Sequence, residues 1–261
     1  MPTWVLVFVT DLNYVYKAMK SMREARTIGG WQDDIVLLVP KALLTHEELV
    51  LFSNEYSIEL RALPDCDYSS LLQVWHGHEN HIDYRHVMGR QFAFSKYYLF
   101  DIYFRKWDIV FYIDAGAVIL GRFQRFKDTC QPDKCIYAHS DAYPTYEWTL
   151  KTQFCLDLLT EAQHNDLLKN YNLNIDYFQT TIYIYDTTIL EDNTIAKLFK
   201  LSEKYPAQRR IDQGSMNLYF NCERGLWKQI PIKDEDGFLY DFFERGTYTR
   251  SDYVLLKYPN T

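Results

Sequence analysis

The stretch Asp108-Ile-Val-Phe-Tyr-Ile-Asp114-Ala-Gly-Ala-Val-Ile-Leu120 carries the clearest structural signal in the chain. Its apolar, β-rich run predicts a strand buried on both faces, which is typical of parallel sheets covered by helices. The run ends in Asp114, followed by small residues. In open α/β sheets the ligand crevice lies at the carboxyl ends of the strands, so we expect Asp114 to face a ligand. The alternative is an aspartate that only caps a turn.

Strand-like and helix-like segments alternate on both sides of this stretch, which predicts a mostly parallel sheet with helices on both faces. Strands are predicted at 4–9, 34–40, 58–63, 108–114, 135–139 and 177–186. Helices are predicted at 14–26, 46–56, 91–104 and 190–205, with another starting at Asp212. Residues 64–87 show no clean period and are predicted as a loop with a possible short helix. The fold class is α/β, with one domain over residues 1–261 that could be the first domain of a longer protein.

Composition narrows the class of function. The net charge of −7 argues against a nucleic-acid partner, because such proteins need a basic face toward the phosphates. The five cysteines are odd in number and scattered, which favours reduced thiols and a cytoplasmic location. The first apolar run is too short for a signal sequence or a membrane span. We therefore expect an ordinary globular protein with no membrane span.

Four segments, in order, resemble glycogenin and glycosyltransferase family 8. They are Val7-Phe8-Val9-Thr10-Asp11, Phe94-Ser95-Lys96-Tyr97, the 108–120 stretch, and Asp176-Tyr-Phe-Gln179 followed by Ile211-Asp212-Gln213-Gly214. The resemblance implies a GT-A fold and transfer of a hexose, galactose or glucose, from a UDP-sugar to a carbohydrate or glycoconjugate acceptor. It implies that nucleotide and sugar contact Thr10, Asp11, Tyr16, Arg90, Lys96, Asp114, Ala115, Gly116 and Gln179.

The sequence departs from the family at the metal site. Gly116 stands where the family has its second metal-binding aspartate, and Lys257 stands where the family has a metal-binding histidine. One carboxylate is a poor oxygen cage for a divalent cation, and a lysine supplies positive charge beside a diphosphate. We therefore expect no required metal, with Lys257 in its place. The alternative is Mn²⁺ bound at Asp114.

The resemblance also implies the chemistry. The family retains anomeric configuration, so Asp212 and Gln213 are expected beneath the anomeric carbon, where they would stabilise an oxocarbenium-like centre. Asp212 is also a candidate helix N-cap. Asp141 and Glu147 are expected at the surface. A noncatalytic nucleotide-sugar or glycan-binding module remains an alternative, as does an inverting transferase with Asp141 or Asp241 as its base.

The segment His76-Gly-His78-Glu79-Asn-His81 could ligate a metal, but no cysteine is near it in the sequence. A mobile loop over the donor or the acceptor is the preferred interpretation. Nearby, Trp75, Tyr84 and His86 could provide a stacking face for a sugar acceptor, with packing in the core as the alternative.

Overall fold

The computed structural model describes residues 2–242 and 252–258. The strands in these residues are β1 Trp4–Val9, β2 Asp34–Val39, β3 Ile58–Ala62, β4 Ile109–Ile113, β5 Val118–Ile119, β6 Ile136–Ser140, β7 Phe178–Asp186, β8 Trp227–Gln229, β9 Lys233–Asp234, β10 Gly237–Phe242 and β11 Tyr253–Lys257. The α-helices are α1 Val15–Thr27, α2 Glu47–Tyr56, α3 Tyr84–Met88, α4 Gln124–Thr129, α5 Glu161–Asn170, α6 Thr194–Lys204 and α7 Gln213–Met216.

A seven-stranded sheet in the order β3-β2-β1-β4-β7-β6-β8 forms the centre of the molecule. Its neighbouring strands are parallel except at β7, which runs antiparallel to both β4 and β6. The predicted α/β class with a mostly parallel sheet is therefore confirmed. Because β7 is reversed, its first residues lie at the edge where β4 and β6 end.

Both faces of this sheet are covered, as the apolar runs predict. Alternate residues of β1 enter different cores: Val5 and Val7 pack on one side, and Leu6 and Phe8 on the other. All six residues of β1 are buried. The strand must be apolar at every position because it has no solvent-facing side.

A second sheet in the order β5-β11-β10-β9 lies against the first. β11 pairs antiparallel with β5, with Leu256 opposite Val118, and parallel with β10. Since β5 follows β4 after only a short turn, this pairing brings the end of β11 to the turn after Asp114.

Two predicted segments differ from the structure. Residues 91–104, predicted as one helix, form two 3₁₀ helices, Gln91–Phe100 and Ile102–Lys106, because extended Asp101 interrupts them and its carboxylate accepts the Tyr103 N–H. The 64–87 region contains a 3₁₀ helix, Ser69–Trp75, before α3. Helix α5 and strands β8 to β10 were not predicted.

The chain makes a long excursion between β6 and β7. Residues 141–177 leave the sheet at the end of β6 and return at the start of β7, and the Asp141 N–H donates to the Tyr177 carbonyl at 2.9 Å where the two ends meet. The Ser140 hydroxyl also donates to Asp176 at 2.7 Å. Both ends of this 141–177 excursion therefore lie at the same edge of the sheet.

Within residues 2–242 and 252–258, no helix has the length and apolar character needed to cross a membrane. All five cysteines lie in these residues as free thiols.

Candidate active site

The candidate site lies where β1 and β4 end and β7 begins. β1 and β4 are parallel, with Val7 opposite Tyr112, so Thr10 and Asp114 follow neighbouring strand ends. The Asp114 N–H donates to the Thr181 carbonyl of β7 at 2.9 Å. The sheet thus brings segments that are distant in the sequence to one edge.

Lys96 joins these segments. Its ammonium lies 2.8 Å from Asp114 Oδ1 and 3.7 Å from Asp212 Oδ2, and it donates to the Thr180 carbonyl at 3.0 Å. Burial acts to lower the pKa of Lys96, but the two carboxylates outweigh burial and raise the pKa above its usual range. Lys96 is therefore a fixed cation between two carboxylates. The Tyr112 hydroxyl makes a short hydrogen bond to the same Asp114 oxygen.

Asp212 does not serve as the predicted side-chain cap of α7. Its side chain makes no capping hydrogen bond, and the carboxylate points toward Lys96 instead. The residue before it, Ile211, is held at φ 51°, an unusual conformation for a β-branched residue and one that is associated with functional sites. This turn directs the Asp212 carboxylate into the sheet edge.

The Asp212 carboxylate is buried and incompletely paired. Among the described residues its Oδ2 has no hydrogen-bond partner, and the residue is 3% exposed. Burial raises the pKa of Asp212, and Asp114 raises it further, against the attraction of Lys96. An underpaired buried carboxylate is a good partner for positive charge that develops in a substrate.

Gln213 is held by two polar contacts. Its Oε1 accepts the Thr180 N–H at 3.3 Å, and its Nε2 donates to Asp141 Oδ2 at 3.1 Å. The Tyr177 hydroxyl donates to the same Asp141 oxygen at 2.9 Å. Asp141 is therefore part of the site and not the plain surface residue that we expected, whereas Glu147 is exposed.

Gln179 lies deeper, with 2% exposure. Its Oε1 accepts from the hydroxyls of Thr181 and Tyr240, and its Nε2 contacts His139 at 3.0 Å. Much of the Gln179 amide is thus engaged by the protein.

Lys257 approaches the turn after β4 from the end of β11. Its ammonium donates to the Ala115 carbonyl at 3.2 Å. The next residue, Gly116, has φ +82°, which favours glycine, and its N–H donates to Ser21 Oγ. The predicted neighbourhood of Lys257, Ala115 and Asp114 is therefore present.

Charged groups of both signs act on Lys257. Burial lowers the pKa of Lys257, Asp114 acts to raise it, and Lys96, Lys17 and Arg90 lower it further. Sequence reasoning missed Lys17, because an exposed lysine on an amphipathic helix carries no distinguishing signal.

Three residues expected to contact the nucleotide lie between the end of β1 and the first turn of α1. Thr10 is buried, and the Asp11 carboxylate accepts the N–H groups of Asn13 and Tyr14, which shapes the turn into the helix. Tyr16 is 58% exposed and meets His46 edge-on, with ring centroids 6.2 Å apart. These three residues border the same strand ends.

The proposed aromatic stacking face does not form as a unit. Trp75 is fully buried in the core, so packing is its role. His86 contacts Arg210 Nη1 through Nε2 at 2.9 Å, and burial, with Arg90 and Arg210, lowers its pKa to about 4.

The alternative base Asp241 is buried in β10, where the Tyr253 hydroxyl donates to it.

The chain adopts the GT-A glycosyltransferase fold. Among solved structures it is similar to the galactosyltransferase LgtC in complex with donor and acceptor sugar analogs, with a TM-score of 0.57 and 13% identity over 98% of this chain and 87% of LgtC. It is also similar to the apo structure of the bifunctional glycosyltransferase WbbM, with a TM-score of 0.58 and 17% identity over 100% of this chain and 46% of WbbM.

A third similar structure is the glycosyltransferase GlyE of Streptococcus pneumoniae TIGR4, with a TM-score of 0.54 and 14% identity over 88% of this chain and 45% of GlyE. The chain thus spans less than half of WbbM and of GlyE. Neither a protein-family model nor a curated protein sequence matches this chain. At these identities the likeness establishes the fold, and function must be argued from the site.

Proposed function

We propose that this protein is a cytoplasmic, retaining glycosyltransferase of the glycogenin type, which transfers galactose or glucose from a UDP-sugar to a carbohydrate or glycoconjugate. The fold supports a nucleotide-sugar site at the strand ends, where Asp114 and Asp212 lie. LgtC, one of the similar proteins, binds donor and acceptor sugar analogs. The free cysteines suit a reducing compartment.

The observation that carries the proposal is the position of two ammonium groups at the turn after β4: Lys257 contacts the Ala115 carbonyl at 3.2 Å, and Lys96 contacts Asp114 at 2.8 Å. A nucleotide diphosphate is the ligand that such a cluster of cations beside strand ends would attract. Charge on the leaving diphosphate would be stabilised by Lys257, with Lys96 and Arg90, as lysine and arginine do in phosphoryl-transfer sites.

The same residues are a poor ligand set for Mn²⁺. The Oδ1 atom of Asp114 is engaged by both Lys96 and Tyr112, Gly116 supplies no side-chain oxygen, and Lys257 places an ammonium at the same turn. Divalent cations need several oxygen ligands. We therefore propose metal-independent transfer and assign no step to a metal.

In this proposal Asp212 and Gln213 act on the sugar. The buried Asp212 carboxylate would stabilise the positive charge that develops as the bond between the anomeric carbon and the diphosphate breaks. Gln213, held by Thr180 and Asp141, would orient the donor while the acceptor hydroxyl attacks the face that the diphosphate leaves. A glutamine-to-glutamate replacement is described as an active-site mutant of LgtC, which agrees with a functional glutamine in this fold.

Titration calorimetry with UDP, UDP-galactose and UDP-glucose, each in EDTA and in Mn²⁺, tests the donor site. We expect binding that persists in EDTA. Lys257→Met and Lys17→Met should each weaken it roughly 10- to 100-fold, as expected for loss of a charge-assisted contact. The matched control is Lys228→Met, which removes an exposed lysine on β8. Because Lys17 is exposed, Lys17→Met should fold normally. It therefore tests the role of positive charge even if Lys257→Met folds poorly.

Binding that requires Mn²⁺ would overturn the metal-independent site. GDP belongs in the same series, because core-mannan synthase A of Aspergillus fumigatus, another similar structure, was solved in an Mn/GDP form. Preference for GDP would overturn the UDP assignment. Donor hydrolysis then separates an enzyme from a binding module, and the anomeric configuration of the product separates retention from inversion.

A further inference from the structure

A second cluster of polar groups lies outside the donor site, where His81, Asp83 and Cys155 come together. Ligand atoms of these three residues all lie within 4.8 Å of one another. His81 Nδ1 lies 3.8 Å from Asp83 Oδ2, and the Cys155 thiol contacts the same oxygen at 3.8 Å. In the described part of the chain this is the one such group of three. Nitrogen, oxygen and sulfur thus converge on one point.

These distances are close to those of a zinc site. Tetrahedral Zn²⁺ with Zn–N and Zn–O bonds of about 2.0 Å and a Zn–S bond of about 2.3 Å separates its ligand atoms by about 3.3–3.6 Å. The two separations from Asp83, each 3.8 Å, therefore need only a small contraction, whereas His81 and Cys155, within 4.8 Å of each other, have to move closer together. Imidazole, carboxylate and thiolate are all ligands that zinc accepts.

An exposed carboxylate lies near the outer nitrogen of the histidine. His81 Nε2 is 3.9 Å from Asp157 Oδ2, so a hydrogen bond would need a small movement of the Asp157 side chain, while Nδ1 faces Asp83. If Nδ1 binds the metal, Nε2 carries the ring proton and points at a carboxylate. Zinc-binding histidines commonly donate their second ring N–H to a carboxylate, which fixes the ring and its tautomer.

Two interactions compete with a metal at this cluster. The Asp83 N–H donates to His81 Nδ1 at 3.1 Å, and Arg209 Nε lies 3.5 Å from Asp83 Oδ2. The Arg209 side chain is 44% exposed, so the guanidinium can turn to solvent at little cost. The Cys155 thiol would release its proton to solvent on binding, as metal sites with cysteine do.

The cluster lies between the segment before α3 and the segment that leads to Asp212. His81 and Asp83 lead into α3, while Cys155 is tied to the chain before Asp212, since its N–H donates to the Ala207 carbonyl at 2.8 Å. Phe154 forms a β-bridge with Gln208 in the same segment. A metal here would fasten the 76–83 loop to the segment that leads to Asp212.

We propose that His81, Asp83 and Cys155 bind a Zn²⁺ ion, with Asp157 as the hydrogen-bond partner of His81. The ion would have these three protein ligands and a water in its fourth position, and it is separate from the donor site at Asp114. The ligands come from two segments, so binding links them without adding a group to the sugar-binding crevice.

The test is a competition titration of Zn²⁺ against a chelating dye, on the full chain in UDP-free buffer. We expect one Zn²⁺ per chain and a rise in melting temperature on addition of Zn²⁺. Cys155→Ser and His81→Asn should each lower the affinity by at least roughly 100-fold, and Asp157→Asn by roughly 10- to 100-fold. Co²⁺ should give a sulfur-to-metal charge-transfer band that Cys155→Ser removes.

The matched controls are Cys222→Ser, which removes a half-buried thiol elsewhere, and Asp114→Asn, which alters the donor site. Both should keep the Zn²⁺ site. Loss of binding in Asp114→Asn but not in Cys155→Ser would place the ion at the donor site and overturn this proposal. Absence of tight Zn²⁺ binding to the wild-type chain would also overturn it. Neither result bears on UDP binding in EDTA, so this proposal fails independently of the proposed function.

Discussion

The Lys96 ammonium lies 2.8 Å from Asp114 Oδ1 and holds together two carboxylates that would otherwise repel each other. Lys96→Met keeps the aliphatic stem but leaves Asp114 and Asp212 without this cation. Breaking a buried ion pair by removing one partner costs 3–5 kcal/mol, and the partial exposure of this pair favours the lower end, about 3 kcal/mol. Urea denaturation of the variant measures this change.

The control for that prediction is the double variant Lys96→Met with Asp114→Asn. The free energy of unfolding lost in the double variant should be smaller than the sum of the two single losses, because the unpaired carboxylate is gone. Additive losses would show that Lys96 and Asp114 are not coupled.

Gln213→Glu replaces the amide that donates to Asp141. Two carboxylates would then face each other, and the position would lose a donor. If the protein is a transferase, we expect kcat to fall roughly 10²- to 10³-fold, the usual effect of removing one donor from a preorganised site. Steady-state kinetics with UDP-galactose checks it. Adding Asp141→Asn should restore part of kcat because it removes the repulsion. No recovery would mean that the contact with Asp141 is irrelevant.

The lowered pKa of Lys257 predicts that UDP binding is linked to proton uptake. Its pKa is lowered, so a larger fraction is neutral at alkaline pH than for an ordinary lysine, whose pKa is about 10.4. A diphosphate favours the charged form. UDP binding should therefore take up protons in alkaline buffer and weaken as the pH rises through the lowered pKa. Calorimetry in buffers of different ionisation enthalpy measures the uptake.

Lys257→Arg is the control, because arginine stays charged throughout this range. Proton uptake should vanish in that variant. If it persists unchanged, the linked proton belongs to another group, and Lys257 is not the titrating residue at the diphosphate.

Gly116 is expected to resist substitution for a backbone reason. At φ +82°, a residue with a Cβ atom is strained, and left-handed conformations cost roughly 1–2 kcal/mol for most residues. Gly116→Ala should lower the free energy of unfolding by that amount, and Gly116→Asn by less, because asparagine tolerates this region better. Thermal and urea unfolding would test this order, and an alanine variant as stable as wild type would contradict it.

The central sheet was predictable because strands such as β1 and β4 are apolar at every position, a pattern typical of strands that are buried on both faces. Asp114 at a strand end follows from the same pattern. β10 was not predicted, since its sequence Gly237–Phe242 mixes polar and apolar residues without a clear alternation. β10 is held between β11, with Phe238 opposite Tyr253, and β9, and its own sequence pattern does not reveal these two pairings.

Contacts between distant residues account for the other omissions. Cys155 lies 72 residues from Asp83, so no local motif links them. Asp141 looked like an ordinary residue after a strand, and only the fold brings it to Gln213. Ile211 gave no sign of its positive φ, because the surrounding structure imposes that conformation.

The 141–177 excursion begins and ends on adjacent antiparallel strands, with its two ends hydrogen-bonded to each other. The register of β6 and β7 therefore does not depend on the length of the chain between them. The segment resembles a cassette fixed at both ends, and a replacement would have to keep the buried side chains that pack into the core, such as Phe154 and Leu167. The end of the cassette that carries Asp141 would bring new side chains to the crevice, so a single genetic exchange could alter what the protein recognises.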